Sequence, residues 1–460
     1  MAYISCNPYT EQVEHKYASI SDAELESRLA LAHQRFLTWC ETPVPERCET
    51  LRRLAAAMTE RRDALAEVLT RDMGKLKAEA LAEVDGCIAT SVWYADNGVR
   101  LLRPRREHGV NYKGGVYEIV PTPTGVVYAV EPWNFPYSQV TRVLVPQLLV
   151  GNTVVLKHAS IVPTAAVTLE RLVEEIAGPG LLVNLFISHA QSAAVIADDR
   201  VAGVALTGSE GAGAIVASQA GAALKRSTLE LGGSDALIVL EDADVARTAA
   251  WAVRGRHRNS GQVCVSSKRM IVLDAVYDAF VAAYRKGVAG LVAGDPLDPA
   301  TTYAPLSSEQ ARADLQAQVE RAVAAGATAE EVDIPLPDHG WFMRPVILTG
   351  VTPDNPAYAE EFFGPVTQLY RVADEETAIR LANDTPYGLG GSVFTGDEAR
   401  GRRVALRLDT GMVAINRPVI GGADTPFGGT KRSGYGREYT DLGLYEFVNQ
   451  KVIGAGEIAG

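Results

Sequence analysis

Hydrophobic and polar positions follow two different rhythms along this chain. Between residues 21 and 100, apolar residues recur three or four positions apart with few helix breakers, which predicts a series of amphipathic helices. Leu25, Leu29 and Ala32 illustrate this repeat. Residues 111–130 instead alternate in the manner of a β-strand around a Gly-Gly pair and two prolines, which predicts a hairpin arm outside the core layer.

From residue 132 onward, short apolar runs alternate with amphipathic stretches. The predicted strands are residues 153–156, 201–206 and 236–240, and the predicted helices are residues 165–176, 212–222 and 242–259. A strand followed by a helix is expected again within residues 272–290. This order is typical of parallel sheets with crossover helices, so the predicted fold class is α/β.

Composition limits the kinds of protein this chain can be. It has 460 residues, of which 47% are hydrophobic and 22% are charged, so two or three globular domains are expected. The net charge of −12 argues against nucleic acid as the main partner. The most apolar stretch, residues 140–156, contains Arg142 and Gln147 and is too short to span a membrane.

Cysteine and histidine usage indicates a reducing compartment and no metal site. The five cysteines include no CxxC pair, and the seven histidines show no metal-ligand spacing. We therefore expect no bound metal. An odd number of thiols without a signal-peptide pattern fits a reducing compartment, and together with the lack of a membrane-spanning stretch it predicts a cytoplasmic protein.

Three short segments carry groups suited to covalent chemistry on a carbonyl. They read PWNFP at 132–136, LELGG at 229–233 and RNSGQVC at 258–264. A thiolate can add to an aldehyde, an amide N–H can hold the resulting oxyanion, and a carboxylate can activate water to release the acyl group. The candidate groups are those of Cys264, Asn134 and Glu230.

Each candidate also has a structural interpretation. Most cysteines are inert and buried, but the polar run before Cys264 is poor core material. Asn134 could merely cap a turn. Glu230 could belong to a structural ion pair, although no cation lies beside it in sequence. If it is buried without a partner, its pKa rises towards the working range of a general base.

Together with EEFFGP at 360–365 and PFGGTKRSG at 426–434, these segments resemble those of the NAD(P)-dependent aldehyde dehydrogenases. The resemblance implies that Cys264 is the nucleophile and that its own N–H and the Asn134 side chain hold the oxyanion. It also implies that Glu230 activates water. A catalytically silent scaffold is disfavoured because every reactive group is retained.

The same resemblance implies a three-part aldehyde dehydrogenase fold. A Rossmann-like cofactor-binding domain would comprise residues 1–110 and 131–240, and an α/β catalytic domain would comprise residues 241–425. A small β oligomerisation arm would comprise residues 111–130 and 426–460. Because such an arm exposes unpaired strand edges, we expect a homodimer, or a homotetramer built from two dimers.

A dinucleotide site is predicted just after the strand at 201–206. Gly208 and Ser209 follow this strand and open a helix, whose backbone N–H groups suit a pyrophosphate. This short signal is weak by itself, because many turns share it. By resemblance, the other cofactor-binding residues are Trp133, Lys157, Ser160, Leu231, Glu361 and Phe363.

Ser160 bears on the choice of cofactor. In the family, the equivalent of Lys157 reaches the adenosine ribose, and a glutamate three residues later repels a 2′-phosphate. Ser160 removes that repulsion and supplies a hydroxyl, which favours NADP and leaves NAD possible. Glu361 would accept hydrogen bonds from the nicotinamide ribose, and Phe363 would pack beside the ring. His158, where the family usually has proline, is interpreted as structural.

Two arginines flank the candidate catalytic residues. Arg142 lies eight residues after Asn134, and Arg258 lies six residues before Cys264. Each could form a surface or interdomain ion pair, or both could hold a carboxylate at the far end of an aldehyde. Their positions resemble those of the substrate-binding arginines of succinic semialdehyde dehydrogenases.

The chain departs from that subfamily at two places. Residues 419–425 contain glycines and Asp424 where those enzymes usually place a carboxylate-binding serine, and Ser266 replaces a redox-regulating cysteine of some relatives. The predicted function is oxidation of a short semialdehyde, succinic semialdehyde foremost, through a cysteine thiohemiacetal and thioester. The alternatives are a general aliphatic or aromatic aldehyde dehydrogenase and, from another class, a cysteine-dependent hydrolase or acyl transferase.

Overall fold

Two mainly parallel β-sheets with helices on both faces form the body of the protein. The structure is a computed structural model and describes residues 3–109, 115–419 and 421–455. In chain order the helices are α1 (Asp22–Trp39), α2 (Val44–Glu60), α3 (Arg62–Met73), α4 (Lys77–Leu101), α5 (Pro136–Val150), α6 (Pro163–Ala177), α7 (His189–Ala197), α8 (Glu210–Ala222), α9 (Val245–His257), α10 (Asp274–Ala289), α11 (Glu309–Ala324), α12 (Glu375–Asn383), α13 (Glu398–Ala405) and α14 (Thr440–Tyr445). The strands are β1 (Tyr3–Cys6), β2 (Val13–Tyr17), β3 (Arg105–His108), β4 (Val116–Pro123), β5 (Val126–Glu131), β6 (Thr153–His158), β7 (Leu182–Asn184), β8 (Val201–Thr207), β9 (Arg226–Glu230), β10 (Ala236–Val239), β11 (Arg269–Leu273), β12 (Thr328–Glu331), β13 (Val346–Thr349), β14 (Val366–Val372), β15 (Tyr387–Gly388), β16 (Gly390–Phe394), β17 (Met412–Ile415), β18 (Thr430–Lys431), β19 (Gly434–Tyr435) and β20 (Val448–Gly454).

The first sheet has the strand order β19-β9-β8-β5-β6-β7. Strands β9, β8, β5, β6 and β7 run parallel, and the short β19 is antiparallel to β9. Helices α2 to α6 cover one face, and α1, α7 and α8 cover the other. The helical repeat in the sequence explains this packing, because Leu25, Leu29 and Ala32 of α1 share one buried cluster with Val126 and Val155 of the sheet.

The second sheet has the strand order β12-β13-β14-β11-β10-β16-β17. All neighbouring pairs in it are parallel except β12 and β13. Helices α9 and α10 pack on one face, and α12 and α13 pack on the other. The predicted α/β class with crossover helices is therefore confirmed.

Two strands lie outside the units that the sequence pattern predicted for them. The pattern assigned residues 126–130 to the arm, but β5 is hydrogen-bonded to β6 and β8 in the middle of the first sheet. It assigned residues 236–240 to the first unit, but β10 lies between β11 and β16 in the second sheet. Both strands are buried on both faces, and such apolar runs do not reveal which sheet contains them.

The arm is a three-stranded antiparallel sheet in the order β20-β4-β3. β3 comes from the segment predicted to belong to the cofactor-binding domain. Residues 430–445 return to the body as β18, β19 and α14, so β20 is the part of the C-terminal segment that joins the arm. Residues 111–114, which were also predicted to belong to the arm, lie outside the described residues.

The carboxyl edge of the first sheet meets the amino edge of the second sheet. β9 ends at Glu230, and the short segment 231–235 leads directly into β10. Cys264 lies before β11, and Glu361 lies before β14. The catalytic and cofactor candidates therefore converge on one cleft between the sheets, as is common for ligands of α/β proteins. Among the helices within the described ranges, none is both long and apolar enough to cross a bilayer.

Candidate active site

The loop that carries Cys264 starts with three consecutive residues in the left-handed region. Asn259, Ser260 and Gly261 have φ angles of 52°, 53° and 79° in a 3-10 turn directly after α9. This backbone is unfavourable for the two residues with side chains, and tertiary contacts must hold it. The Asn259 N–H donates to both carboxylate oxygens of Glu79, at 3.1 and 3.0 Å. The backbone conformation of the residues that precede Cys264 is therefore held by contacts with other parts of the fold.

Asn134 is fixed against this loop. The residue is 3% exposed. Its Nδ2 donates to the Gln262 carbonyl at 3.0 Å, and its Oδ1 accepts from Gln139 Nε2 at 2.9 Å. The second hydrogen of Nδ2 has no acceptor among the described residues, so it is available to an oxyanion formed beside Cys264.

The Cys264 thiol lies among charges of both signs. Burial raises the pKa of this thiol to about 11, and the positive charges of Arg142 and Lys268 oppose the rise. The carboxyl groups of Glu361 and Asp235 add to it. The two cations therefore stabilise the thiolate, which is the form that attacks a carbonyl.

Glu230 is a buried acid without a partner. It is 4% exposed, and neither of its carboxyl oxygens has a hydrogen-bond partner among the described residues. Burial raises its pKa well above the usual value, the Glu438 carboxyl adds to the rise, and Arg142 opposes it. The structural ion pair that was considered for Glu230 is not formed with any of the described residues. A raised pKa makes this carboxyl a stronger proton acceptor than an exposed glutamate, as a general base requires.

The C-terminal turn packs closely against Glu230. Gly428, in the PFGGTKRSG segment, has a φ of 152°. A Cβ at this position would lie 2.7 Å from Glu230 Oε1 and 2.8 Å from the Gly436 carbonyl. The position therefore requires glycine both for its backbone and for the close approach of the carboxyl.

Glu361 is held by two donors. Its Oε1 accepts the Gly233 N–H at 3.1 Å and lies 3.0 Å from Lys268 Nζ. A side chain at Gly232 would collide with the other carboxylate oxygen. The LELGG and EEFFGP segments therefore meet at this carboxylate. With 17% of its side chain exposed, Glu361 remains accessible to the hydroxyls of a ribose.

Three other predicted cofactor residues line the same region. The Trp133 and Phe363 rings meet edge to face, with centroids 5.6 Å apart and an interplanar angle of 89°. Trp133 comes just after β5 of the first sheet, and Phe363 comes just before β14 of the second sheet. This ring pair therefore spans the cleft between the two sheets. Leu231 packs on α8, where a Cβ on Gly213 would lie 2.7 Å from its Cδ2.

Ser209 caps the N-terminus of α8. Its Oγ accepts the Ala212 N–H at 3.3 Å, and the Gly208 N–H donates to the Glu230 carbonyl at 3.0 Å. The N-terminus of this 13-residue helix lies at the carboxyl edge of the first sheet. This arrangement is the one expected for a pyrophosphate site.

Lys157 and His158 end β6 at the same edge. Burial lowers the pKa of the Lys157 ammonium. The Ser160 carbonyl accepts the Ile4 N–H at 2.9 Å, so β1 supports this loop. His158 Nε2 donates to the Pro136 carbonyl at 2.9 Å, and its Nδ1 accepts the next backbone N–H at 2.9 Å. Burial lowers the pKa of His158 to about 4, so the ring is neutral and holds the PWNFP segment in place.

Arg142 and Arg258 differ in their partners. Arg142 forms a buried ion pair with Glu438 at 2.7 Å and lies 4.8 Å from the centre of the Phe427 ring. Arg258 lies 5.0 Å from the centre of the Phe135 ring and, within the described part of the chain, forms no ion pair. The ion-pair alternative is therefore observed for Arg142. Arg258 has no described carboxylate within ion-pairing distance, although its charge opposes the rise in the pKa of the buried Glu79 carboxyl.

Several charged residues of the site were not predicted from the sequence. Lys268 contacts the Cys264 loop, and Glu438 pairs with Arg142. Lys75 forms a buried pair with Glu83 and donates to the Asn134 carbonyl at 2.8 Å. The available signal was a charged residue bordering an apolar segment, as Lys268 borders β11, but many exposed lysines show the same pattern.

Within residues 3–109, 115–419 and 421–455, no group of three or more His, Cys, Asp and Glu side chains could hold a metal ion. All five cysteines are free. The cleft instead contains a thiol, an amide donor, a buried carboxyl of raised pKa and a helix N-terminus. This set can support acyl chemistry on a carbonyl beside a dinucleotide.

Comparison with known proteins gives close relatives over the whole chain. The model of the aldehyde dehydrogenase family matches residues 2–453. A curated succinate-semialdehyde dehydrogenase (NADP+) of Deinococcus radiodurans is 46% identical over 455 residues, which cover 98% of this chain and 94% of that protein. An enzyme of the same name from Mycolicibacterium paratuberculosis is 39% identical over 458 residues, which cover 99% of this chain and 97% of that protein.

A solved structure is equally similar. It is the crystal structure of succinic semialdehyde dehydrogenase from Streptococcus pyogenes in complex with NADP+ as the cofactor. It superposes with a TM-score of 0.96 at 44% identity, and the superposition covers 99% of this chain and all of that one (100%). The expected α/β aldehyde dehydrogenase fold is therefore confirmed over 99% of the chain.

Proposed function

Because the chain belongs to the aldehyde dehydrogenase family, we propose that it oxidises succinic semialdehyde to succinate with NADP. The relatives named for this reaction cover nearly all of the chain. One observation in the structure carries the choice of substrate, namely the unpaired guanidinium of Arg258 beside Phe135, which adjoins Asn134. A semialdehyde is distinguished from a simple aldehyde by the carboxylate that such a cation would bind.

The proposed reaction uses three residues of the cleft. The Cys264 thiolate attacks the aldehyde carbon, and the Cys264 N–H and Asn134 Nδ2 donate to the oxygen of the thiohemiacetal. When bound, NADP supplies the hydride acceptor that turns the thiohemiacetal into a thioester. Glu230 then takes a proton from water, which attacks the thioester and releases the acid.

The cofactor residues fit a dinucleotide. Glu361 is ionically fixed but reachable, and Gly232 leaves room for its carboxylate. Ser209 opens α8 at the position suited to the pyrophosphate. Lys157 and Ser160 would receive the adenosine ribose, and the absence of an acid at Ser160 favours NADP over NAD, which stays possible.

The two arginines would share the substrate carboxylate unequally. Arg142 already has the Glu438 carboxylate at 2.7 Å, so we assign the main contact to Arg258. Asp424, the acidic residue in the loop that departs from the subfamily, is exposed and accepts from the Thr425 hydroxyl at 3.3 Å. Its charge is therefore partly screened by solvent from an acidic substrate.

The arm supports a homo-oligomer. β20 and β3 are its edge strands, and Val452 and Ile453 of β20 are 57% and 51% exposed. An unpaired edge bearing apolar side chains favours pairing with a second copy, which gives a homodimer or a homotetramer of two dimers. The free thiols favour a reducing compartment, and we place the enzyme in the cytoplasm.

A matrix of two aldehydes and two cofactors tests the proposal. Succinic semialdehyde and butyraldehyde are each offered with NADP and with NAD, and kcat/KM is measured from the absorbance of the reduced cofactor. We expect the largest value for succinic semialdehyde with NADP. A larger value for butyraldehyde would make the protein a general aldehyde dehydrogenase. Activity on thioesters without any cofactor-dependent turnover would make it a hydrolase or acyl transferase.

A further inference from the structure

Lys268 joins the two segments that would bind substrate and cofactor. Its side chain is 1% exposed, and its ammonium group has three acceptors. Nζ donates to the Val263 carbonyl at 2.8 Å and to the Cys264 carbonyl at 2.7 Å, and it lies 3.0 Å from Glu361 Oε1. An ammonium has three donors and no acceptor, so Lys268 is fully satisfied in this position.

The bond to the Val263 carbonyl has a consequence for the other end of the same peptide group. A trans peptide is planar, so the Val263 carbonyl and the Cys264 N–H point in opposite directions. Lys268 holds the carbonyl on its own side, which directs the N–H away from Lys268. The Cys264 N–H makes no hydrogen bond to another described residue and is therefore free to donate to an oxyanion.

We infer that Lys268 is a positioning residue for the oxidation. It fixes the Val263–Cys264 peptide so that the Cys264 N–H faces the reacting carbonyl oxygen. It also holds the Glu361 carboxylate in a fixed position relative to that peptide. The inference rests on the proposed function for the second part, because Glu361 acts on a nicotinamide ribose only if a dinucleotide binds. The first part applies to any acyl transfer at Cys264.

The bond to Glu361 makes Lys268 a link between nucleophile and cofactor. A displacement of about 1 Å between reacting groups can reduce a rate by roughly 100-fold, so a shared anchor for both segments matters to the chemistry. Without the ammonium, the two carbonyls and the carboxylate would lose a common donor in a nearly dry site. Among the described residues, the Ser266 N–H would then be the one remaining donor to this peptide, at 3.2 Å from the Val263 carbonyl.

The test compares Lys268→Met with Arg269→Met. Arg269 is the next residue, is 2% exposed, and donates to the carbonyls of Ser234, Leu381 and Ala382. Both variants therefore lose a buried cation that binds carbonyls, but Lys268 alone of the two contacts Cys264 and Glu361. Each full-length variant is assayed for aldehyde oxidation with NADP and for hydrolysis of p-nitrophenyl acetate, a reaction that needs an oxyanion hole but no hydride transfer.

We expect Lys268→Met to lower kcat in both assays by about 10- to 100-fold, with KM for the aldehyde changed less than ~3-fold, because an oxyanion donor is misdirected. The Kd for NADP, measured by quenching of tryptophan fluorescence, should rise several-fold. Arg269→Met should lose thermal stability but retain kcat within ~3-fold. A kcat for Lys268→Met within ~2-fold of wild type, or equal losses in both variants, would overturn the inference.

A second measurement covers the case in which Lys268→Met does not fold. Lys268→Gln keeps a hydrogen-bond donor but removes the positive charge. The reactivity of the Cys264 thiol in this variant is measured by iodoacetamide labelling as a function of pH. Arg142, Lys268, Glu361 and Asp235 are the charges that act on this thiol. Loss of the Lys268 charge should move the labelling curve to higher pH. An unmoved curve together with a kcat for ester hydrolysis within ~2-fold of wild type in Lys268→Gln would overturn the inference. Wild-type ester hydrolysis without aldehyde oxidation would instead refute the proposed function and leave the test of Lys268 intact.

Discussion

At the amino edge of the second sheet, buried cations tie the Cys264 loop to its neighbours, whereas at the carboxyl edge of the first sheet Glu230 has no hydrogen-bond partner among the described residues. Arg256, fully buried, donates to the carbonyls of Gly261 and Val366 at 3.2 and 3.0 Å. It thus connects the Cys264 loop to the strand that follows the EEFFGP segment. Lys268 makes a second connection through Glu361.

This difference corresponds to two requirements of catalysis, a rigidly positioned nucleophile and a base that can exchange protons. A nucleophile and its oxyanion donors must keep their geometry, and a fully satisfied polar network provides that rigidity. A base must exchange protons, and an unpaired buried carboxyl has the raised pKa that allows it. The unpaired state of Glu230 costs stability, and the well-bonded loop on the other side helps to offset this cost.

Removal of the nucleophile should have the largest effect. In Cys264→Ala, kcat for aldehyde oxidation should fall on the order of 10⁴-fold or more, because no other described thiol lies at this place. The Kd for NADP should stay within ~3-fold, since the rigid loop keeps its backbone contacts. Turnover that survives in this variant would remove the assignment of the nucleophile.

Substitution of the base should separate activity from stability. In Glu230→Gln, kcat should fall by about 10³-fold, because water is no longer activated. The midpoint of thermal unfolding should not fall, since the variant replaces an unpaired buried carboxyl with a neutral amide of the same shape.

Glu361→Gln is the matched control for this result. Here the carboxylate is paired, so its loss leaves Lys268 with a weakened partner in a buried position. The free energy of unfolding should drop by about 2 kcal/mol, which urea titration would measure. If Glu230→Gln were the less stable of the two variants, the contrast between the two edges would be wrong.

The pH dependence should follow the raised pKa of Glu230. This carboxyl is the acceptor of a proton only when ionised, so kcat should rise as pH increases through its folded-state pKa, which lies well above 4.5. Above an unfolded-state pKa of about 4.5, the native state keeps a proton that the unfolded state has lost, so stability falls as pH rises. In Glu230→Gln, both the rise of kcat with pH and the fall of stability with pH should become shallower. If both slopes stay unchanged, the titrating group is the neighbouring Glu438.

The arginines should show a smaller and more selective effect. Arg258→Ala should raise KM for succinic semialdehyde by about 10-fold and leave KM for butyraldehyde within ~2-fold, because only the former has a carboxylate. Arg142→Ala should also weaken the fold, since Glu438 would be left buried without its cation. Equal changes in KM for both aldehydes would make Arg258 structural.

Gly428 allows the mildest test of the first-sheet edge. Gly428→Ala should destabilise the protein by about 1–3 kcal/mol and lower kcat by less than ~10-fold, because the added methyl group displaces the Glu230 carboxyl. Gly178→Ala is the control, because Gly178 also has a positive φ, of 78°, and a Cβ there meets nothing within 4 Å. If the control loses as much kcat, the effect does not come from contact with Glu230.

Local pattern predicted the elements of this fold better than their assembly. The helices at 165–176 and 212–222 became α6 and α8, because amphipathic repeats and a Ser209 cap act over one element. The placement of β5 and β10 was missed, because a strand buried on both faces looks alike in any sheet.

The site shows the same limit. Cys264, Asn134 and Glu230 lie in short motifs that the sequence displays, and the structure brings their segments to one cleft. The contacts of Lys268 were not predictable, because they depend on backbone carbonyls and on Glu361, more than ninety residues away in sequence. Sequence therefore predicted the reacting groups, and the tertiary structure was needed to identify what holds them.

Trapping the acyl group is the most direct test of covalent catalysis at Cys264. Glu230→Gln is mixed with succinic semialdehyde and NADP, quenched with acid after one turnover, and digested for mass spectrometry. Slow hydrolysis should leave close to one succinyl thioester per chain on the peptide that contains Cys264. Formation of reduced cofactor without an adduct, or with an adduct on another residue, would contradict the account.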